Sequence, residues 1–188
     1  MNTNIFTQIF TENLDDLVKF INDAVITKDT IGSVLRMHLF CEKIIEAYIC
    51  AICNQANLFG NQEKTSIIIE CDKKLSMAKN LGLHNTIYNL LKNINSIRNN
   101  LAHNILSDPL PNNRIESSLD LVKNFMEENQ LKGKFGIAIF DTNEKPIKTI
   151  TQENCENNHE KFLFVASQAI FFISFDFQNK LENTSNLT

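Results

Sequence analysis

Three residues near the middle of the chain have side chains that together can do chemistry. They are Arg98, Asn99 and His103, within Arg98-Asn99-Asn100-Leu101-Ala102-His103. A histidine titrating near neutrality can take a proton from a ribose 2′-hydroxyl or give one to a leaving 5′-oxygen. An arginine is permanently cationic, and its planar fork fits phosphate oxygens as charge builds on them. An asparagine can orient the imidazole or hold the phosphate. Such a set would cleave RNA without a metal or other cofactor, leaving a 2′,3′-cyclic phosphate. DNA lacks the 2′-hydroxyl and would be spared. The same residues also have a plainer use: Arg98 can pair with Glu42 or Glu46, and His103 can satisfy carbonyls at a helix C-terminus.

Whether these groups meet depends on the helix that carries them. A helix is expected from about His84 to Ile105, with Ile87, Leu90, Ile94, Ile97, Leu101 and Ile105 on its apolar face. Asn95, Asn99 and His103 recur at four-residue steps and form a polar ridge on another side, with Arg98 at its edge. Arg98 and His103 are five positions apart, which on a regular helix is about 140° of rotation. They therefore meet only if the helix ends or distorts near His103, or if a second copy of the chain supplies the missing group. Asp108-Pro109-Leu110-Pro111 is a firm stop just beyond.

The remaining elements are read from the same periodicities. Asn13 with Asp16 marks a helix start, followed by Leu14, Leu17, Val18, Ile21 and Val25. Asp29-Thr30 opens a long helix to about Leu58, whose stripe Val34, His38, Cys41, Ile45, Tyr48 and Ile52 marks a buried seam. From Thr65 to Leu81 the β-branched Ile67-Ile68-Ile69 gives way to helical spacing at Leu75, Ala78 and Leu81, closed by Gly82. Asn113 with Glu116 resembles a capping box for a helix from Arg114 to Gln130. Phe135 to Phe140 and Ile147 to Thr151, around Asp141-Thr142-Asn143-Glu144, read as a β-hairpin. A last helix from about Asn158 to Leu181 is apolar nearly all round, which calls for burial on two sides, one against this chain and one against a second copy. The expected fold is mainly α, an antiparallel helical bundle with a small β-hairpin inserted before the last helix. Residues 1–188 form one domain, with 134–151 and the Phe-rich 158–181 as its appendage.

Composition narrows the function classes. A chain of 188 residues that is 43% hydrophobic and 21% charged can bury a real core. Its net charge of −4 offers no global field for phosphates, so specific DNA binding by this chain alone is not expected. The first ten residues lack the positive start and apolar run of a secretory signal. No run reaches the length of a membrane span; Phe162 to Phe177 comes closest, interrupted by Ser167, Gln168, Ser174 and Asp176. The odd count of five cysteines, mostly within apolar helical patterns, reads as free thiols in a reducing, cytoplasmic setting. Cys50-x-x-Cys53 lacks a second ligand pair or a preceding strand and reads as two packed thiols.

Other residues have plainer expectations. His38 reads as a core histidine bonded to Glu42 or a carbonyl, with a supporting role for Arg98 as the sharper alternative. His38 and Cys41 lack further evident ligands for a metal. His84 and His159 are expected at exposed helix starts. Lys73, Lys74, Lys79 and Lys92 read as a solvated face or as a cationic rim for RNA.

Two stretches resemble a known family. Lys74-Leu75-Ser76-Met77-Ala78-Lys79-Asn80-Leu81-Gly82-Leu83, followed by Ile94-Asn95-Ser96-Ile97-Arg98-Asn99-Asn100-Leu101-Ala102-His103, is similar to the mannitol operon repressor family, and through it to the wider HEPN superfamily. The likeness covers about residues 28 to 130. The superfamily's mark of an arginine, a polar residue, a few positions and a histidine falls here on Arg98, Asn99 and His103. The resemblance implies a helical bundle, commonly a homodimer, with the two motifs facing each other across the interface. It also implies either a metal-independent ribonuclease of the toxin or phage-defence kind, or a non-catalytic regulator that binds a protein partner such as an antitoxin. The hairpin and the Phe-rich last helix lie outside that pattern. No helix-turn-helix or basic recognition helix accompanies it.

Overall fold

The computed structural model describes residues 1–60, 68–103, 110–133, 135–141 and 145–185; of His103, Thr184 and Ser185 only the backbone is described. Within these residues the chain is mainly helical. Six helices, α1 (Thr3–Thr27), α2 (Thr30–Cys53), α3 (Cys71–Asn80), α4 (Asn85–His103), α5 (Asn112–Glu128) and α6 (Asn158–Ser185), accompany one antiparallel hairpin, β1 (Gly136–Phe140) and β2 (Pro146–Thr151), which precedes the last helix.

The first helix begins a full eleven positions before the Asn13 start that the sequence suggested. Asn2 is its cap, its side-chain oxygen accepting from the backbone N–H groups of Asn4 and Ile5. Asn13 instead turns its amide back to the Ile9 carbonyl, 2.6 Å away, inside an unbroken helix. Tertiary contacts explain the extension. Phe6 is buried and stacks on Phe177 of α6 with ring centroids 4.3 Å apart. The Asn2 N–H also donates to the Ala51 carbonyl near the end of α2 at 2.9 Å. The start of α1 thus lies beside the end of α2, and the pair forms an antiparallel helical hairpin turned at Lys28 (φ 55°) and Asp29. Asp29 caps α2 as its sequence suggested, accepting from Gly32 N–H at 2.9 Å. The helix ends at Asn54 in the left-handed conformation, earlier than Leu58.

The capping box expected for α5 does not form: Pro111 precedes the helix without a side-chain bond, and Glu116 instead pairs with Lys161 of α6 at 2.6 Å. In the hairpin, Ile137 pairs with Ile150 and Ile139 with Lys148. Ile139 and Ile150 are buried while Ile147 faces out, the period-two pattern of a one-sided ribbon. Gly136 is required there, because a Cβ would come within 2.8 Å of the Thr149 methyl and 3.0 Å of the Ile150 carbonyl. The turn at 142–144 lies outside the described residues, as do Ile67 and residues 104–109, on which parts of the sequence expectations fell.

The last helix is no appendage. It packs against α2, α4, α5 and both strands, and Phe162, Leu163, Phe164, Phe172, Ile173 and Phe177 are buried along it. Phe172 lies 4.1 Å from the Phe125 ring of α5. This chain therefore covers both sides that the all-round apolar pattern required. Contrary to the sequence expectation, Asn158–Asn183 is long and apolar enough to cross a membrane by length and composition. Yet 67% of its apolar window is buried inside the fold, as the centre of the core.

Candidate functional site where α2, α3 and α4 meet

The apolar stripe of α4 packs as its spacing demands: Ile87, Leu90, Ile94, Ile97 and Leu101 are all buried. The polar ridge beside it is not uniform. Asn95 is buried, whereas Asn99 is exposed and Arg98 half-buried. Asn95 continues an inward row with Ile87 and Leu91 at four-residue steps, and this places its amide between α2 and α3.

There Asn95 joins two other helices. Its Nδ2 donates to Asp72 Oδ1 of α3 at 3.0 Å, and its Oδ1 lies 2.9 Å from His38 Nε2 of α2. A carboxylate only accepts, so Asn95 must present its amide nitrogen to Asp72 and its oxygen to His38. The proton of His38 therefore sits on Nε2, leaving a lone pair on Nδ1. Burial pushes the His38 imidazole below its ordinary pKa; the Asn95 bond and Glu42 oppose this, while the charges of Arg98 and Lys74 reinforce it. His38 is thus a buried neutral histidine, as the plainer expectation held, but its partner is Asn95 rather than Glu42.

Neither Glu42 nor Glu46 waits for Arg98 as an ion-pair partner. Lys74 of α3 reaches between them, with Nζ 2.5 Å from Glu42 Oε1 and 2.6 Å from Glu46 Oε1. Burial alone would lower the Lys74 pKa, but the two carboxylates outweigh it and hold the ammonium above its usual value. Lys74 is therefore a buried ionic link and not part of a solvated face. Lys92 Nζ stands 3.9 Å from Asp72, and Lys79 lies over the Tyr88 ring at 4.4 Å.

Arg98 uses its fork on its own helix, its Nη1 donating to Asn99 Oδ1 at 3.0 Å. The guanidinium is near enough to act electrostatically on His38 and on Cys71. Asn99, which holds it, is exposed. His103 is the last residue of α4, and its side chain lies outside the described residues. Of the three sequence-chosen residues, Arg98 and Asn99 are in direct contact. Asn95, Asp72 and Lys74 were not singled out as a linked set from the sequence. The signal for Asn95 was its place on the Ile87–Leu91 row, whereas nothing local marks Asp72 or Lys74.

Other expectations are corrected by placement. His84 and His159 are half-buried: His84 packs edge-on to Phe125 at 5.2 Å, and His159 Nε2 meets Ser33 Oγ at 2.8 Å. Cys50 is buried but Cys53 is exposed at the end of α2, so the two are not a packed pair of thiols; all five cysteines are free.

No protein-family model, curated protein or solved structure matches this chain. What the chain can do is therefore argued from the geometry of this junction and the motif beside it.

Proposed function

We propose that this chain supplies half of an RNA-cleaving site, working as a cytoplasmic homodimer in which Arg98, Asn99 and His103 act on a phosphodiester. The observation that carries the reading is the Arg98–Asn99 hydrogen bond of 3.0 Å at the outer edge of α4, about one turn before the described helix ends at His103. A cation held by a neutral acceptor keeps its full charge for an incoming phosphate, which an Arg–carboxylate pair would not.

In this reading His103 takes the proton of a ribose 2′-hydroxyl, and the 2′-oxygen attacks phosphorus. The bond from phosphorus to the 5′-oxygen breaks, and the leaving oxygen takes a proton from the His103 of the second copy. Arg98 balances the charge that accumulates on the non-bridging oxygens, and Asn99 holds Arg98 in place. The products are a 2′,3′-cyclic phosphate and a 5′-hydroxyl, and none of these steps calls on a metal. The resemblance to the HEPN superfamily supports the same roles for these residues.

The test is cleavage of a panel of single-stranded RNAs by the purified protein in EDTA, at a temperature where the chain is folded. Wild type should cut and leave cyclic phosphate ends, while His103→Ala and Arg98→Ala should lose at least about a hundredfold in rate with an unchanged far-UV spectrum. Equal RNA survival with wild type and His103→Ala across the panel ends the enzyme reading. Size exclusion with light scattering should give the mass of two chains.

One observation favours a second reading, a regulatory module that binds a protein partner without catalysis. A groove of about 800 Å³ lies between α1 and α2, where Phe20, Leu39 and Phe40 sit among charged residues such as Asp16, Lys19 and Arg36, with Leu39 62% exposed. RNA inertness combined with dimerisation would leave that reading standing.

A further inference from the structure

We propose that His38, Glu42 and Cys71 form a zinc site that ties α2 to the first residue of α3. The inference is independent of the RNA reading, since the ion is not asked to touch RNA. A ring nitrogen of His38, a carboxylate oxygen of Glu42 and the Cys71 sulfur lie within 4.8 Å of one another. His38 and Glu42 are four positions apart on one face of α2, the spacing that stacks two ligands. Cys71 comes from α3, so one ion would close the long connection between these helices. Nitrogen, oxygen and sulfur together suit Zn²⁺; Ca²⁺ and Mg²⁺ call for oxygen alone.

Two further features point to an ion. The first is the support behind His38. A ligating histidine characteristically donates its second ring N–H to a fixed acceptor, which sets the tautomer and aims the ligating nitrogen. Here Nε2–H is committed to Asn95, and Asn95 in turn to Asp72, so Nδ1 carries the lone pair. The second is the space. His38, Glu42 and Cys71 line a small cavity of about 10 Å³, walled otherwise by Cys41 and the apolar Leu75, Leu91 and Ile94. That is barely room for one water and ample for one ion.

The charges balance. Lys74 holds Glu42 by Oε1 and keeps its bond to Glu46, leaving Glu42 Oε2 for the metal. On binding, the Cys71 S–H bond breaks, its proton goes to solvent, and a Zn–S bond forms. Without the ion, burial first, and then the Glu42 and Asp72 charges, hold that thiol up at about 12, so it stays protonated. The three side chains leave one position of the tetrahedron open.

The experiment titrates the full chain, stripped with EDTA and kept reduced, with Co²⁺ as an optical stand-in for zinc. Wild type should bind about one Co²⁺ per chain with a thiolate-to-cobalt charge-transfer band, and Zn²⁺ should abolish that band. Cys71→Ser should lose it, His38→Gln and Glu42→Gln should weaken binding by at least about tenfold, and Cys53→Ser should bind as wild type does. Absence of the band in wild type, or an equal band in Cys71→Ser, overturns the proposal. Should Cys71→Ser fail to fold, alkylation of Cys71 in the wild type decides the matter by mass spectrometry. Zn²⁺ should slow that alkylation at least about tenfold, and equal rates with and without Zn²⁺ overturn the site.

Discussion

His38 and Asn95 share a buried hydrogen bond of 2.9 Å across the α2–α4 interface, and Asp72 of α3 fixes its direction. Three helices distant in sequence are thereby joined through a single amide. Because the amide has one acceptor and one donor facing opposite ways, its two partners cannot be exchanged, so the bond also fixes a proton on Nε2 of the imidazole.

Removing that amide should therefore cost more than one hydrogen bond. Asn95→Ala leaves a buried Nε2–H with nothing to accept it, and such a group costs about 1–3 kcal/mol. The urea midpoint of the variant should fall with the slope unchanged. An unaltered midpoint would mean that His38 finds another acceptor and that the junction is not held by Asn95.

Lys74 makes a stronger prediction. Its ammonium separates Glu42 from Glu46, both only about one-fifth exposed. Lys74→Met removes the cation between two carboxylates, leaving Glu46 to the more exposed Lys43 at 3.6 Å and Glu42 without its partner, at a cost of about 3 kcal/mol. The triple variant Lys74→Met, Glu42→Gln, Glu46→Gln should recover most of that loss, because the burden is unpaired charge and not missing packing. If the triple variant is as unstable as the single one, the packing of the lysine stem is what matters.

The reach of the sequence follows from which forces are local. The Asp29 cap and the buried positions Val34, His38, Cys41, Ile45 and Tyr48 were readable because a cap and a 3.6-residue period are properties of one segment. The stripe of α4 and the hairpin were readable for the same reason. The start of α1 was not: Asn13 has the right type for a cap, but Phe6 is held in helix by Phe177, far along the chain. Lys74 read as solvated because no local pattern shows that Glu42 and Glu46 lie across from it. At the candidate site the helix and its Arg98–Asn99 edge were legible, whereas the link through Asn95 to His38 and Asp72 depends on three helices meeting.

The extended α1 gives its own test. Phe6 is buried against Phe177, and a Phe→Ala change at such a position costs about 3–5 kcal/mol. Phe6→Ala should lower stability on that scale and speed hydrogen exchange over residues 3–12, since the first turns of α1 lose their anchor. Exchange as slow as in wild type would mean that Asn2 and its bonds to α2 hold the helix start unaided.

The last prediction concerns acid. Ser33 Oγ donates to the Asp29 carbonyl, so it accepts from His159 Nε2–H at 2.8 Å and holds the half-buried ring in place. Burial lowers the His159 pKa below 6.5, against the opposing charges of Glu160 and Asp29. The sign follows: below its ordinary value the unfolded chain takes up a proton that the folded chain resists, so stability falls as pH drops through 6.5. The loss stops once pH passes the lower folded value. Denaturation midpoints measured between about pH 7 and pH 5 should decline in wild type and decline less in His159→Gln, which keeps a donor for Ser33 but cannot titrate. Parallel curves for the two proteins would show that His159 binds its proton equally well in both states, and that its burial exacts no penalty on the charged ring.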